Sequence, residues 1–302
     1  MHSVAAFLDG LELGPAVGSD GLTMFPLIGR ELHEPNYVTL NEAVAAGWVR
    51  ITEVSEAGSV PELRVVNDGE RPVLIIDGEE LVGAKQNRIA NITILVSPKT
   101  TLTIPVSCVE AGRWRSVGRE FQPADRAYHA DGRRAKLTQV SASMQCGESR
   151  AADQSAIWAE INAKSARLGA ESDTRAAAAM YETHRRSLDD LVQMLQPVDN
   201  QVGAVFAIHG AIAGLDVFDS PRTWRSLLPK LVRSYGLDAK AVRAARAQSF
   251  PGVGAGTDIR FDSTGVVGAA LADDRGIVHI VAFPTQPGGQ NSHARPPRRH
   301  IE

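Results

Sequence analysis

Cysteine is scarce in this chain, with only Cys108 and Cys146 among 302 residues. Two cysteines cannot build a disulfide framework, and their spacing does not match a structural zinc site. Basic residues are not in excess either, because the net charge is −3, and this argues against general nucleic-acid binding. No segment approaches the roughly 20 consecutive apolar residues of a membrane-spanning helix. The N-terminus lacks the basic region and the apolar run of a signal peptide. We therefore expect a soluble, cytoplasmic protein that binds neither nucleic acid nor membranes.

Histidine is absent from residues 34–128, which excludes the usual ligand sets of transition metals in that stretch. A magnesium site on Glu79, Glu80 or Glu110 stays open, because hard cations need only oxygen ligands. Cys108 has no nearby histidine in the sequence to activate it, so a buried, apolar role is favoured over that of a nucleophile.

Apolar and polar residues alternate in several short runs of the first 115 residues, as in RITEVSE (50–56) and ELRVVND (62–68). The connections between these runs are too short for the helices that link parallel strands. We therefore predict an α+β fold in which residues 1–115 form a β-rich, antiparallel body, either a sandwich or barrel-like.

The rest of the chain has a different character. Residues 116–150 are polar and weakly periodic, which predicts a long excursion or covering loop. Residues 151–284 show helical periodicity, two hairpin patterns and a helix that Ser220 caps and Pro221 opens. We predict a mixed α/β part there that packs on the same core as residues 1–115. The Pro-, Gly- and Arg-rich residues 285–302 predict a disordered tail.

A dense group of polar residues interrupts the strands in GEELVGAKQNRIAN, residues 78–91. Arg88 offers a planar fork that suits a phosphate or carboxylate, and Gln86 and Asn87 can both donate and accept hydrogen bonds. Glu79 and Glu80 could serve as general bases, bind hydroxyl groups or hold a cation. The alternative is an internal network of ion pairs across a hairpin. For each residue alone we favour that network, and for the cluster as a whole we favour a site.

A second polar group follows the next strand, in CVEAGRW, residues 108–114. Glu110 could act as a base, Arg113 could hold a phosphate, and Trp114 offers a face for stacking on a base or sugar. These residues join the first group if the two strands are neighbours. The alternative is that Trp114 seals the end of the core while Arg113 covers it.

The strings EELVGAKQNR and CVEAGRW, together with FAIHGAIAGLDVFDSPRTW, resemble the ARG-and-Rhodanese-Phosphatase-superfamily-associated domain family. The resemblance spans most of residues 20–283. "ARG" in that name stands for ADP-ribosylglycohydrolase. The resemblance thus implies a link to NAD and ADP-ribose metabolism, and it carries no assignment of catalytic residues.

Two functions remain in competition. In the first, Glu79, Glu80 and Glu110 are the catalytic candidates of a pocket that binds or hydrolyses a nucleotide- or phosphosugar-type metabolite. The residues that bind the ligand are then Gln86, Asn87, Arg88, Arg113 and Trp114. In the second, the chain is a non-catalytic module that docks on a partner enzyme.

Overall fold

The computed structural model of the chain describes residues 4–29, 34–55, 61–115, 117–147, 149–239, 247–251, 257–263, 266–272 and 277–284. The helices are α1 (Val4–Asp9), α2 (Leu40–Ala45), α3 (Ala130–Gln145), α4 (Gln154–Leu168), α5 (Ala178–Thr183), α6 (Arg185–Met194) and α7 (Pro221–Asp238). The strands in the first 127 residues are β1 (Leu11–Leu13), β2 (Val17–Ser19), β3 (Leu22–Gly29), β4 (Val38–Thr39), β5 (Val49–Glu53), β6 (Glu62–Asn67), β7 (Val73–Ile75), β8 (Glu79–Ala84), β9 (Arg88–Ala90), β10 (Ile94–Val96), β11 (Thr100–Cys108) and β12 (Val117–Ala127). The later strands are β13 (Gln201–Ile208), β14 (Ala211–Phe218), β15 (Ala247–Pro251), β16 (Thr257–Ser263), β17 (Val266–Ala272) and β18 (Ile277–Pro284). Antiparallel sheets and helices are both present, so the predicted α+β class with a β-rich body is confirmed.

Six strands close into a barrel in the order β11-β6-β5-β12-β8-β9. Alternate residues of a barrel strand face the interior, and Val49, Ile51 and Ala90 accordingly belong to one apolar cluster. Ile89, the neighbour of Ala90, packs in a different cluster outside the barrel. The small sheet β10-β7-β4 and helix α2 add their apolar residues to the barrel cluster. The barrel therefore has an apolar interior, which makes any charged side chain on its inner face conspicuous.

The second body is a nine-stranded antiparallel sheet in the order β1-β3-β13-β14-β18-β17-β16-β15, with β2 also paired to β3. The predicted hairpin between β13 and β14 is confirmed. His209 and Gly210 at its tip have φ values of 47° and 83°, and two positive values in succession fit a tight type I′ turn. Strands β1 to β3 belong to this sheet, so pairing between β3 and β13 crosses the predicted boundary at residue 115.

Helix α7 packs against both bodies and begins as its sequence predicts. Ser220 Oγ accepts a hydrogen bond from Arg222 N at 3.2 Å, and Pro221 occupies the first turn. The large buried rings Trp224 and Tyr235 lie in the same apolar cluster as residues from β3 and β13. One core thus spans the early and the late parts of the chain.

Residues 116–150 do not form the predicted loop. Val117–Ala127 is β12, which closes the barrel between β5 and β8, and Ala130–Gln145 is α3. The first half of β12 is exposed, so no alternating apolar pattern marks it. Helix α3 buries Arg133 and Lys136 together with Leu137 and Val140, so charged and apolar residues share its inward face. Hydrophobic periodicity is weak in both elements because charged residues occupy some of the buried positions.

Residues 285–302, where we predict a disordered tail, lie outside the described residues. Of the helices that the structure describes, none is both long enough and apolar enough to cross a membrane.

Candidate ligand site at the barrel mouth

The two polar strings of the sequence meet at one end of the barrel. Residues 85–87 form the turn between β8 and β9, and Arg88 then lies opposite Cys108 in the pairing of β9 with β11. Gln86 Nε2 donates to the main-chain oxygen of Glu110 at 2.8 Å, which ties the turn to the segment after β11. We call this end the barrel mouth and define it by Glu53, Lys85, Gln86, Asn87, Arg88, Glu110, Arg113 and Trp114.

Glu110 and Arg113 clamp the rim of the mouth. Glu110 accepts hydrogen bonds from the main-chain nitrogen of Asn87 at 3.1 Å and from Thr174 Oγ1 at 2.8 Å. Its carboxylate also pairs with Arg113 at 2.6 Å. Burial raises the pKa of Glu110, but the hydrogen bonds from Arg113, Asn87 and Thr174 outweigh burial and hold that pKa below its usual range. A carboxylate stabilised in this way is a weak base.

Arg113, Asn87 and Gln86 are engaged with the protein itself. Arg113 donates to the main-chain oxygen of Ala84 at 2.7 Å and to Asn87 Oδ1 at 3.0 Å. Gln86 Oε1 accepts from Arg88 Nη1 at 3.2 Å. These three side chains therefore fix the shape of the turn and orient Arg88.

Arg88 is fully buried on the inner face of the barrel, two residues before Ala90. Its Nη1 donates to the main-chain oxygen of Gln86 at 3.1 Å. Its Nε and Nη2 have no hydrogen-bond acceptor among the residues that the structure describes. A buried donor without an acceptor is costly, and Arg88 has two such donors in the described part of the chain.

Glu53 lies beside Arg88 and is the residue that sequence analysis missed. It follows Val49 and Ile51 at the same spacing along β5, so it shares their inward face. Its Oε1 is 3.8 Å from Arg88 Nη2, which allows ionic attraction but is too long for a hydrogen bond. Within the described part of the chain, its buried Oε2 has no hydrogen-bond donor. The sequence signal for Glu53 is an acidic residue at a position where the alternation of β5 predicts an apolar one.

Trp114 covers the mouth from the outside. Its side chain is half exposed, unlike that of Arg88 beneath it. The ring centroid lies 5.8 Å from Arg88 Cζ and 5.5 Å from Lys85 Nζ, within cation–π range for both. The indole thus lies near the guanidinium and is half exposed to solvent.

Glu79 and Glu80 are not at the mouth. They begin β8, whereas Ala84 at the mouth ends it, a separation of roughly 15 Å along an extended strand. Glu79 forms a buried ion pair with Lys230 of α7. Glu80 forms a two-point pair with Arg126 of β12, at 2.7 and 3.1 Å. Glu79, Glu80 and Glu110 therefore face three different cations, Lys230, Arg126 and Arg113.

Cys108 shares the inner face with Arg88. Burial raises the pKa of its thiol to about 11, although the charge of Arg88 opposes this shift. A thiol with so high a pKa is almost entirely protonated at neutral pH and is a poor nucleophile.

A separate buried network joins the barrel to the large sheet. Arg133 of α3 donates to Asp216 of β14 at 2.6 and 3.0 Å and to Asp77 at 3.2 Å. Lys136 of the same helix pairs with Asp77, and His279 Nε2 lies 3.2 Å from Asp216. All five side chains are buried and mutually paired, so this network holds elements together.

Comparison with known families identifies the family of the chain. A family model described as the ARG and Rhodanese-Phosphatase-superfamily-associated Protein domain, ARPP-1, matches residues 10–283. The chain belongs to this family. Neither a curated protein nor a solved structure matches it at a significant level.

The ARPP-1 match covers both bodies, from β1 in the large sheet to β18. The family unit is therefore the barrel together with the sheet. Its description records an association with ADP-ribosylglycohydrolases and with the rhodanese-phosphatase superfamily. Two of the strings that carry the resemblance lie in β8 and at the barrel mouth, and the third covers the β13–β14 hairpin and the start of α7.

Proposed function

We propose that the barrel mouth binds a nucleotide-derived metabolite related to ADP-ribose or NAD. The observation that carries this proposal is the pair Arg88 and Glu53. Two donor atoms of Arg88 and one acceptor atom of Glu53 are buried side by side without a hydrogen-bond partner in the described residues. Buried polar groups of native proteins are satisfied in the great majority of cases. A ligand that enters the mouth supplies the missing partners.

The surroundings of the pair support a ligand with a ring. Trp114 presents an aromatic face beside the guanidinium, and aromatic stacking on a base or pyridine ring is worth about 1–3 kcal/mol. Mouths of β-barrels are also among the places where small-molecule sites recur. The association with ADP-ribosylglycohydrolases in the family description agrees with a ligand of this class.

Binding, rather than hydrolysis, is the activity that the geometry favours. A general base must reach its proton with a free oxygen and a suitable pKa. Glu79 and Glu80 are held in distant ion pairs, and Glu110 is an engaged carboxylate with a lowered pKa. Glu53 is the carboxylate beside Arg88, with its Oε1 3.8 Å from Arg88 Nη2.

Thermal unfolding with a ligand panel tests the proposal. ADP-ribose, NAD and a mononucleotide are each added at millimolar concentration, and the melting temperature is expected to rise by mass action. In Arg88→Ala the rise is lost. Arg50→Ala is the matched control, because Arg50 is an exposed arginine of the same barrel that pairs with Asp68. Chromatography of the incubated ligands shows whether any is hydrolysed. No rise with any ligand contradicts the proposal.

A second function, a module that docks on a partner enzyme, has one supporting observation besides the family description. Trp114 and Val117 are both exposed large apolar residues, 50% and 58% accessible, and both border the barrel mouth. Exposed apolar residues in one region favour protein contacts. Size-exclusion chromatography with a purified ADP-ribosylglycohydrolase separates the two functions. Docking predicts co-elution that Val117→Ser abolishes and Arg88→Ala leaves intact.

A further inference from the structure

Resting on the proposed function, the charge balance of the mouth indicates which part of the ligand enters it. Arg88 carries one positive charge and Glu53 one negative charge, and their nearest charged atoms are 3.8 Å apart. A phosphate would be attracted by Arg88 and repelled by Glu53 at nearly the same distance. The inner pair is therefore poorly suited to an anion.

The unmet hydrogen bonds of the pair have a definite polarity. Arg88 Nε and Nη2 can only donate, and a carboxylate such as Glu53 can only accept. In the part of the chain that the structure describes, Arg88 Nε, Arg88 Nη2 and Glu53 Oε2 have no hydrogen-bond partner, whereas Glu53 Oε1 accepts from the main-chain nitrogen of Lys85 at 3.4 Å. The complement of this pair is a neutral group that presents an acceptor and a donor side by side.

We infer that the Arg88–Glu53 pair recognises the amide edge of a nitrogenous ring, in which a C=O accepts from Arg88 and an adjacent N–H donates to Glu53. A pyridine carboxamide and a cyclic amide base such as hypoxanthine both have this edge. The ring to which the amide belongs extends toward Trp114, whose face lies over the guanidinium. Phosphate groups of the same ligand stay outside the inner pair, near the rim.

Gln86 holds the guanidinium of Arg88 in place. Its Oε1 and main-chain oxygen both accept from Arg88 Nη1, at 3.2 and 3.1 Å. These bonds engage Nη1 and leave Nε and Nη2 without an acceptor in the described residues. Gln86 is thus a positioning residue for the guanidinium.

Calorimetric titration with matched ligands tests the inference. NAD is compared with its deamido form, in which the carboxamide is replaced by a carboxylate, and inosine diphosphate is compared with purine riboside diphosphate, which lacks both the 6-oxo group and the N1–H. A charged hydrogen bond contributes about 1.5–3 kcal/mol, so the amide-bearing member of each pair is expected to bind on the order of 10- to 100-fold more tightly. Equal affinity within both pairs overturns the inference and leaves the proposed function intact. No binding of any of the four overturns both.

Glu53→Gln sharpens the test, because an amide in place of the carboxylate removes the negative charge at almost constant volume. This variant is expected to reverse the preference, so that deamido-NAD binds more tightly than NAD. Glu62→Gln is the matched control, because Glu62 is an exposed residue at the start of β6, beside the partner of Glu53 in the barrel. An unchanged preference in Glu53→Gln overturns the inference, provided that its melting temperature shows a folded protein.

Discussion

Arg88 and Arg133 are both completely buried, yet their surroundings differ. Arg133 is held by two carboxylates, Asp77 and Asp216, at hydrogen-bond distance. Arg88 has one carboxylate nearby, Glu53, and that carboxylate is beyond hydrogen-bond distance. The guanidinium of Arg133 is thus fully paired within the chain, whereas that of Arg88 has two donors without an acceptor in the described residues.

This contrast predicts different costs for removing each arginine. Breaking a fully formed buried ion pair costs about 3–5 kcal/mol, and we expect that loss for Arg133→Ala. Arg88→Ala should cost about 1–2 kcal/mol, because only its Nη1 makes hydrogen bonds in the folded chain. Urea denaturation of both variants measures the free energies of unfolding. Equal losses of 3–5 kcal/mol would show that Arg88 belongs to an internal ion-pair network.

Glu160 gives a prediction about acid stability. Burial alone raises the pKa of this carboxyl, but His129 and Lys164 outweigh burial and lower that pKa to about 2. Because the folded-state pKa is depressed, its stabilisation is present above the unfolded pKa and is lost as the pH falls toward 2. We expect Glu160→Gln to lose roughly 1–3 kcal/mol at pH 7 and to show a flatter decline than wild type between pH 4.5 and 2. Denaturation at several pH values measures this, and a parallel decline in both proteins would contradict it.

At the scale of elements, buried ion pairs attach helix α7 to the barrel. Lys230 of α7 meets Glu79 of β8 and also donates to Asn41 Oδ1 at 2.6 Å. Both members of the ion pair are buried. These contacts hold Glu79 against α7. The EEL string therefore lies outside the barrel mouth, although it is close to the mouth residues in sequence.

Removing one member of the Lys230–Glu79 pair should lower the free energy of unfolding more than replacing both members. Lys230→Met leaves the carboxylate of Glu79 buried without its cation, which costs about 3–5 kcal/mol. The double variant Glu79→Leu with Lys230→Met should recover most of this loss, since buried pairs can be replaced by apolar residues of similar volume. A double-mutant cycle in urea measures the coupling. Additive losses would mean that the pair contributes nothing as a pair.

The elements that could be predicted from sequence are those with ordinary apolar patterning. The β13–β14 hairpin and the start of α7 follow from residues 209–210 and 220–221, whose turn and capping chemistry is local. Strand β12 and helix α3 could not be predicted, because their positions are set by pairing with distant strands and by buried carboxylates. The meeting of the two polar strings followed from the adjacency of sequential strands. The inward position of Arg88 and its proximity to Glu53 could not be predicted, because both depend on the register of the closed barrel.

At the scale of the whole molecule, the barrel and the large sheet depend on each other. The barrel closes only with β12, which lies beyond residue 115. Strands β1 to β3, from the first 30 residues, complete the large sheet instead. Arg133 and Lys136 of α3 then connect Asp77 to Asp216 between the two bodies. Residues 1–115 therefore lack one strand of the barrel, and the residues after 115 lack three strands of the large sheet.

A fragment of residues 1–115 should therefore fail to fold, because its barrel has lost one of six strands and exposes unpaired edges. Far-UV circular dichroism and proton NMR dispersion of the fragment, compared with the full chain, measure this. The full chain should unfold in a single transition, because one core spans both parts. A folded, cooperative fragment would contradict the interlocked arrangement.

The most direct test of the account is a fluorescence titration of Trp114 with NAD. The chain has four tryptophans, so Trp114→Phe is the reference that lacks the emission of Trp114 and keeps that of the other three. We predict a saturable change in wild-type emission that is absent from Trp114→Phe and strongly weakened in Arg88→Ala. A wild-type signal that stays flat to millimolar NAD, or an Arg88→Ala titration identical to that of wild type, would contradict a ligand site at the barrel mouth.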